Sequence, residues 1–550
     1  MGALALMALM ALMSPVPPAA AEAVDAVGAD GSLTAEAVDA YVTDYVDSSL
    51  LPGATVAVTR GTEVVRVAGY GADSRGEPMT ADTPMGVASV SKAFTALAVL
   101  QLVEDGAVDL DDPVVEHLDE FDMADPRSSR ITVRHLLAQT SGMSDTAFRE
   151  KSEPAPRDLE GAVARLAGAE LVADPGTEYH YHNPNYHVAA RLVEVVSGRA
   201  FGDVLDERVF EPLGMADTVT VDTAAQVFGS GVATGHIGVL GRPVPIAEPD
   251  DFYNGAGGMV TTATDMSRWL IAQNNGGVGP GGGRVLSAEG IERSHTAPGG
   301  DAPGRESALG WTTRPAPGGT PMVSHGGVQF TYTAYHALLP GSGYGIAVMA
   351  DTGLGVGDAS ALFHGLVALA EGEEPAASAT PALLGLDVAM VVLVALTGYL
   401  AVRGVRRAGA WALAARDRAW WRTVPRLLPG AAVIVAAVVP HRLLAPLAAG
   451  RDVPWGHVFH LVPGVFTALM AAAAAFAVVY AVRVYRLVEA VRGGGVVADV
   501  GRTGPGRPGP GGAGFGRLTR SGAPRARSGR TPPPGAGRTG GRGPARPVRW

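Results

Sequence analysis

The sequence predicts an α+β protein: an antiparallel sheet flanked by helices, with an inserted all-helical lobe, followed by a membrane region of three helices. Strand-like sequence runs through 54–71, with a hairpin turn at Gly61, and two or three more strands are predicted within 322–350. The stretch between them, 89–270, is rich in helical patterns and long loops. Strands from both ends are therefore expected to form one sheet, with a site between that sheet and the lobe.

The chain begins with a segment typical of an exported leader. An apolar run over Ala3–Met13 precedes a proline-broken stretch and the small-residue pattern Ala21-x-Ala23. We therefore expect a signal peptide over 1–23, although the usual basic residues before the apolar run are missing; a buried N-terminal helix is the alternative. The chain has no cysteine, which excludes a disulfide framework and a lipidated cysteine anchor.

Charge divides the rest of the chain into two regions. From Leu383 onward there are 23 Arg and 5 acidic residues, net +18, which leaves 20 basic and 49 acidic residues before that point, net −29. The predicted extracytoplasmic domain, 24–378, is therefore acidic. No nucleic-acid partner is expected, because the negative charge of the domain would repel a phosphate backbone. The Gly/Pro/Arg-rich tail, 493–550, is predicted to be disordered and able to contact membrane lipid.

The membrane region is predicted over 379–492. Helices are expected at about 383–402, 425–447 and 458–482. The middle stretch is short and is interrupted by His441 and Arg442, so by itself it also fits a re-entrant or interfacial segment. The loop 403–426 and the tail after Val482 are both rich in Arg and favour the cytoplasm. With the first domain exported, only three crossings place both inside, which predicts a multi-pass cell-membrane protein with its catalytic domain outside.

The pair Ser89-x-x-Lys92 is the first chemical signal. Ser89 lies at the N-terminus of a predicted helix that ends near Gly106, and Lys92 follows one turn later on the same face. Only one other lysine, Lys151 in a polar loop, occurs among the 43 basic residues. A serine hydroxyl needs a neighbour that takes its proton; a buried lysine can be deprotonated, whereas arginine cannot. A simple N-cap role for the serine is the alternative.

Two later segments extend this pattern. Tyr181-His182-Asn183 precedes a helix-like segment, and His325-Gly326-Gly327 lies between two strand-like ones. The order Ser-x-x-Lys, Tyr-x-Asn, then a basic residue with Gly two places on resembles the serine beta-lactamase and penicillin-binding-protein superfamily. The likeness is strongest to its class C-like branch of D,D-peptidases, esterases and D-aminopeptidases. Further segments look like family segments in family order, namely ITVRHLLAQTSGM, FEPLGMADT, AGGMVTTATDMSRWL and LLPGSGYGIAVMADT, so the resemblance spans about 35–370.

The resemblance implies a beta-lactamase/transpeptidase-like fold and a role for each of these residues. Ser89 would be the acylated nucleophile, Lys92 its proton acceptor, and Tyr181 the relay of that proton to the leaving group. Asn183, His325 and Gly327 would contact the substrate. The backbone N–H groups of Ser89 and Val328 would form the oxyanion hole. The expected substrate is a small peptide, ester or amide, and no cofactor is implied.

Two departures from the family pattern affect these expectations. Class C beta-lactamases have Lys-Thr-Gly where this chain has His325, which is mostly neutral at pH 7, so a peptide or ester substrate is expected rather than efficient antibiotic hydrolysis. His182 stands where a small residue is common and is expected to tighten the cleft. It also lies close in sequence to His180 and His187, but no H-E-x-x-H or Cys partner accompanies them, so no metal site is predicted.

Two functions remain open from the sequence. One is a membrane-anchored serine hydrolase that acts on D-amino-acid peptides, cell-wall fragments or small esters and amides. The other is a penicillin-binding-type sensor that binds or is acylated by a ligand and signals through the membrane helices. No recognisable signalling domain follows the last predicted helix, which favours the enzyme.

Overall fold

The structure is a computed structural model that describes residues 32–298, 306–353, 358–375, 380–444 and 450–500. The predicted signal peptide therefore lies outside the described residues. Of the predicted disordered tail, only 493–500 is described, and it forms the end of a helix.

The strands of the chain form one large sheet and two small ones. They are β1 Gly53–Arg60, β2 Glu63–Gly71, β3 Met85–Gly86, β4 Val219–Thr220, β5 His236–Val239, β6 Arg242–Pro245, β7 Met259–Thr261, β8 Thr312–Pro315, β9 Pro321–Val328, β10 Thr333–Leu339 and β11 Tyr344–Ala350. The large sheet is antiparallel in the order β2-β1-β11-β10-β9-β8, so β1 from the start of the domain pairs with β11 from its end. Ala57 lies opposite Ala347 in that pair. The predicted antiparallel sheet that joins the early and the late strands is thereby confirmed.

The described helices are distributed over both faces of this sheet, the lobe and the membrane region. They are α1 Ala35–Ser48, α2 Ser91–Glu104, α3 Val133–Leu137, α4 Leu159–Ala164, α5 Pro184–Ser197, α6 Phe201–Leu205, α7 Glu211–Leu213, α8 Ala224–Gly229, α9 Ala263–Asn274, α10 Ala288–His295, α11 Asp358–Ala370, α12 Thr380–Arg406, α13 Ala408–Arg416, α14 Trp420–Thr423, α15 Leu428–Val438, α16 Pro440–Leu444, α17 Val458–Leu461 and α18 Pro463–Val500.

Two apolar layers hold the sheet between helices. Residues of β1 and β11 are buried on both faces, because alternate side chains point to opposite sides of a strand. Val56 and Ile346 pack toward α1 and α11, whereas Ala57 and Ala347 face the larger core under the lobe. In that larger core Phe94 of α2 stacks on Trp269 of α9 with ring centroids 3.7 Å apart, which fixes the helix that follows Ser89.

The α+β fold class is confirmed, and the structure adds short strands within and just before the stretch 89–270, which was predicted to be rich in helices. β3, β7 and β4 form a three-stranded sheet, and β5 and β6 form a hairpin. These strands are only two to four residues long, so they carry too little alternation to stand out in the sequence. β3 matters for the site because it ends three residues before Ser89.

Two helices among the described residues are long and apolar enough to cross a membrane, Leu384–Arg406 and Pro463–Arg492. The segments Trp420–Arg426 and Leu428–Val438 form a pair bent by 47°, and this pair makes a third span if it is counted as one. The predicted middle helix, 425–447, is therefore broken rather than continuous. Three crossings remain a prediction.

The membrane-region helices contact one another. The Tyr480 hydroxyl of α18 donates to the Leu427 carbonyl at 2.6 Å, and the Trp455 indole donates to the Ala437 carbonyl at 3.2 Å. The bent middle segment therefore packs against the last helix.

Candidate active site

Ser89 lies on a tight turn between β3 and α2. The turn is a 3₁₀ segment, Ala88–Val90, and Ala88 has φ +48°, a conformation rarely adopted by a residue with a side chain. The Val87 N–H donates to Met259 O at 3.1 Å, and the Ser91 hydroxyl donates to Ala88 O at 2.6 Å, which hold the turn from both sides. The Ser89 side chain caps neither the 3₁₀ segment nor α2, and its hydroxyl lies 3.0 Å from Lys92 Nζ.

Lys92 is fully buried and its amine touches three groups. Its Nζ lies 3.0 Å from Ser89 Oγ, 3.0 Å from Asn183 Oδ1 and 2.6 Å from the Ala256 carbonyl. The amide and the carbonyl oxygens can only accept, so they take the two hydrogens of a neutral amine. Such an amine keeps a lone pair that can accept the hydroxyl proton of Ser89, whose Oγ lies 3.0 Å away.

Burial lowers the pKa of Lys92 well below its usual value, and the positive charges of Arg451 and Lys151 lower it further. Glu150 and Asp145 act in the opposite direction but do not reverse the shift. The shift favours the neutral amine relative to an exposed lysine, and the neutral amine is the state that a proton acceptor needs.

Tyr181 and Asn183 reach the same place from the start of α5. The Tyr181 ring centroid lies 5.0 Å from Lys92 Nζ. Burial raises the pKa of Tyr181, although Arg451 and a polar contact with the Ser89 hydroxyl act against this. The phenol is therefore protonated at neutral pH, and it can pass a proton to a leaving group rather than withdraw one.

The edge of β9 forms the opposite wall of the site. The His325 Nδ1–H donates to the Gly326 carbonyl at 2.9 Å, which assigns Nε2 of the neutral ring as an acceptor. Burial, with help from the charge of Lys92, lowers the pKa of His325 to about 3, as expected for a neutral histidine at this position. Its ring lies 6.3 Å from that of Tyr181.

Gly327 brings β9 against the turn of Ser89. A Cβ on Gly327 would lie 2.1 Å from the Val87 carbonyl and 3.0 Å from the Ser89 nitrogen. Only glycine permits that approach. The predicted oxyanion hole of Ser89 and Val328 backbone N–H groups remains a prediction, but this contact places the two segments side by side.

A buried acidic pair behind the site was missed by sequence reasoning. Asp145 Oδ1 lies 2.5 Å from His182 Nδ1, and Glu150 Oε1 lies 3.4 Å from both Asn183 Nδ2 and His187 Nε2. Burial alone would raise the pKa of Glu150, but His187 and Lys151 hold it below its usual value. Through these contacts the two carboxylates hold in place the segment that carries Tyr181 and Asn183.

The same acidic pair raises the question of a metal. Ligand atoms of Asp145, Glu150 and His182 all lie within 4.8 Å of one another. Both Asp145 oxygens are already bonded, one to His182 and the other to the guanidinium of Arg451, and that guanidinium would repel a cation. The three residues therefore fit a hydrogen-bonded network better than a metal site.

The three histidines that were considered as a metal site, His180, His182 and His187, have different surroundings in the structure. His182 is fully buried, His180 faces Glu178 at 3.2 Å near the surface, and His187 Nδ1 lies 2.8 Å from the Asn254 carbonyl. Lys151, expected in a polar loop, is instead largely buried and paired with Asp251. That partner lies 100 residues away in sequence, so no local pattern indicated the pair.

Arg451, from the loop between α16 and α17, also reaches the site. Its Nε donates to Asp145 Oδ2 at 2.6 Å, and its guanidinium carbon lies 4.7 Å from the Tyr181 ring centroid. The residue was not predicted as functional. One signal was available: it is an arginine on the predicted outer side of the membrane, where positive charge is disfavoured in short loops.

Comparisons with known proteins identify relatives of the domain that carries this site. A model of the beta-lactamase family matches residues 38–370. Penicillin-binding protein 4 of Amycolatopsis lactamdurans is 31% identical over 328 residues, which cover 58% of this chain and 85% of that protein. Protein flp of Staphylococcus aureus (strain MW2) is 26% identical over 326 residues, which cover 58% of this chain and 63% of that protein.

One solved structure supports the fold. The octameric penicillin-binding protein homologue from Pyrococcus abyssi superimposes with a TM-score of 0.53 at 26% identity, covering 62% of this chain and 77% of that one. The family match ends before the C-terminal apolar helices, so Arg451 lies outside it.

Proposed function

The chain belongs to the beta-lactamase family, and from this we propose that it is a membrane-anchored serine hydrolase with Ser89 as its acylated nucleophile. The observation that carries the proposal is the buried Lys92 amine, 3.0 Å from Ser89 Oγ and held by two acceptors. The proposed substrates are D-amino-acid peptides, cell-wall fragments or small esters and amides, and no nucleic acid is involved. This choice is supported by the neutral His325 in place of a lysine.

The proposed acylation assigns a role to each of these groups. Lys92 takes the proton of Ser89 as Oγ bonds to the substrate carbonyl carbon. Backbone N–H groups of Ser89 and Val328 stabilise the oxyanion. The bond to the leaving atom then breaks, and Tyr181 supplies a proton to that atom and is reprotonated from Lys92. Water later hydrolyses the acyl-enzyme, which restores Ser89.

The proposed location is the cell membrane, with the catalytic domain outside the cytoplasm. The contact of Arg451 with Asp145 supports it, because this contact requires the loop before the last helix to lie on the same side as the catalytic domain. Three crossings satisfy that requirement, whereas a re-entrant middle segment would leave the loop on the side of the Arg-rich segment 403–426. Membrane lipid is accordingly a proposed partner.

The test is covalent labelling of the detergent-solubilised full chain with a fluorophosphonate and a fluorescent penicillin, followed by intact mass. We expect a Ser89-dependent adduct, absent in Ser89→Ala. Lys92→Arg should slow labelling by about 100-fold or more, because arginine keeps the charge but cannot accept the proton. Full labelling of Lys92→Arg would exclude Lys92 as the proton acceptor.

The lifetime of the penicillin adduct tests the second candidate function, a sensor. The observation that favours a sensor is the contact between the site and the membrane region through Arg451. An adduct that turns over within hours supports the hydrolase. A persistent adduct, with D-peptides and esters also left uncleaved, supports the sensor.

A further inference from the structure

The loop before the last membrane helix is attached to the catalytic domain next to the site. We call its described part, residues 450–457, the Arg451 loop. The Asp452 N–H donates to Asp145 Oδ2 at 2.8 Å, and the Asp452 carboxylate accepts from the N–H and hydroxyl of Ser152 at 2.8 and 2.9 Å. His457 packs on Phe330 with ring centroids 4.6 Å apart. These contacts hold the loop at one place on the domain.

The attachment leaves one edge of the Arg451 guanidinium unused. Its Nε donates to Asp145, but within the described residues neither Nη atom donates to a protein acceptor. The side chain is 28% exposed. A guanidinium with free Nη atoms presents parallel N–H groups that match the two oxygens of a carboxylate.

The position of this guanidinium indicates which part of a substrate it would meet. It stacks over Tyr181, 4.7 Å from the ring centroid, and Tyr181 is the group proposed to protonate the leaving atom. A carboxylate near Arg451 therefore belongs to the leaving group. In a peptide with a free C-terminus, the terminal residue carries that carboxylate on the carbon next to the leaving nitrogen.

We propose that Arg451, supplied by the membrane region, binds the carboxylate of the leaving group and selects peptides with a free C-terminal carboxylate. The inference rests on the proposed function, because it assigns leaving-group chemistry to the site around Ser89. It makes the site composite: the nucleophile and proton acceptor come from the catalytic domain, and the anion-binding group comes from the loop between the second apolar segment and α18.

The test uses the full chain in detergent and measures protection from fluorophosphonate labelling. The competitors are an Nα-acyl D-alanyl-D-alanine with a free carboxylate and its C-terminal amide, which differ in the charge of the leaving group. The variants are Arg451→Met, Arg451→Lys and Ser152→Ala, and the matched control is Arg418→Met, an exposed arginine of the loop 403–426.

In the wild-type chain and in Arg418→Met, we expect the acid to protect at a concentration about tenfold or more below that of the amide. Arg451→Met should abolish the preference. Arg451→Lys should retain part of it, since lysine keeps the charge and loses the forked geometry. Ser152→Ala loosens the loop and should reduce the preference without removing fluorophosphonate labelling.

Two results would overturn the inference, namely equal protection by acid and amide in the wild-type chain and an unchanged preference in Arg451→Met. If Arg451→Met with an unchanged preference is also labelled faster, the loop is a cover over the site. Labelling also separates the two proposals. If the fluorophosphonate does not label Ser89 of the wild-type chain, the proposed function itself fails; if it labels but the preference is absent, only the role of Arg451 fails.

Discussion

Charges from distant parts of the chain act together on the pKa of the Lys92 amine. Burial lowers its pKa first, and Arg451 and Lys151 add to this, whereas Glu150 and Asp145 oppose it. The net effect of these opposing charges and of burial is a lowered pKa, which favours the neutral amine. Removal of any one charge should therefore change the pH at which Ser89 becomes reactive.

This gives a pH prediction for Arg451→Met. Arg451 lowers the pKa of Lys92, so its removal raises that pKa, and less of the neutral amine is present at a given pH. The acid limb of the rate of fluorophosphonate labelling should therefore move to higher pH, with the plateau rate little changed. The probe carries no titrating group, and Arg418→Met serves as the control. A limb that stays in place or moves to lower pH would contradict this prediction.

At the scale of the element, the turn of Ser89 and the edge of β9 depend on each other. Ala88 with φ +48° directs the Ser89 side chain toward Lys92, and Gly327 allows the β9 backbone to lie against the turn. The apposition of these backbones is also what the predicted oxyanion hole requires, because both donors must point at one oxygen.

The Gly327→Ala variant tests this apposition. The new Cβ would meet the Val87 carbonyl at 2.1 Å, so the strand and the turn must separate. We expect the labelling rate of Ser89 to fall by about 100-fold or more, similar to the loss of one oxyanion donor. Gly281→Ala, where a Cβ meets nothing within 4 Å, is the matched control. Near-normal labelling of Gly327→Ala in a folded protein would show that the two segments need not touch.

The same elements show what could be predicted from the sequence. Ser89 and Lys92 are three residues apart on one helix, and Tyr181 and Asn183 lie together before another, so local spacing was enough to identify them. The hairpin at Gly61 and the late strands were found by the same kind of pattern. The short strands β3, β4 and β7 were not, because two or three residues show no periodicity and their pairing depends on the assembled lobe.

Residues whose role depends on long-range contacts remained hidden. Arg451 lies 306 residues after Asp145, and Glu150 and Lys151 look like ordinary charges of a polar loop until the fold buries them. Their burial requires partners that come from other elements. Sequence spacing carries no information about such partners in a single chain.

For the whole molecule, the contact of Arg451 with the catalytic domain links the active site to membrane topology. The loop can reach Asp145 only if both lie on the same side of the membrane. With the catalytic domain outside the cytoplasm, as proposed, the bent segment 420–438 would cross the membrane despite its 47° kink. If instead it turned back, the loop and the Arg-rich segment 403–426 would lie on one side, and the composite site would not form.

Cysteine labelling distinguishes these topologies, and the chain has no native cysteine to interfere. We would place single cysteines at Gly456, where a Cβ meets nothing within 4 Å, and at Arg418, an exposed position of the segment 403–426. A membrane-impermeant maleimide applied to intact cells should label Gly456→Cys and should label Arg418→Cys only after permeabilisation. Equal labelling of both positions before permeabilisation, or of neither, would place them on one side and exclude three crossings. In that case Arg451 could not serve an extracytoplasmic Ser89, because a residue on the cytoplasmic side cannot stack on Tyr181.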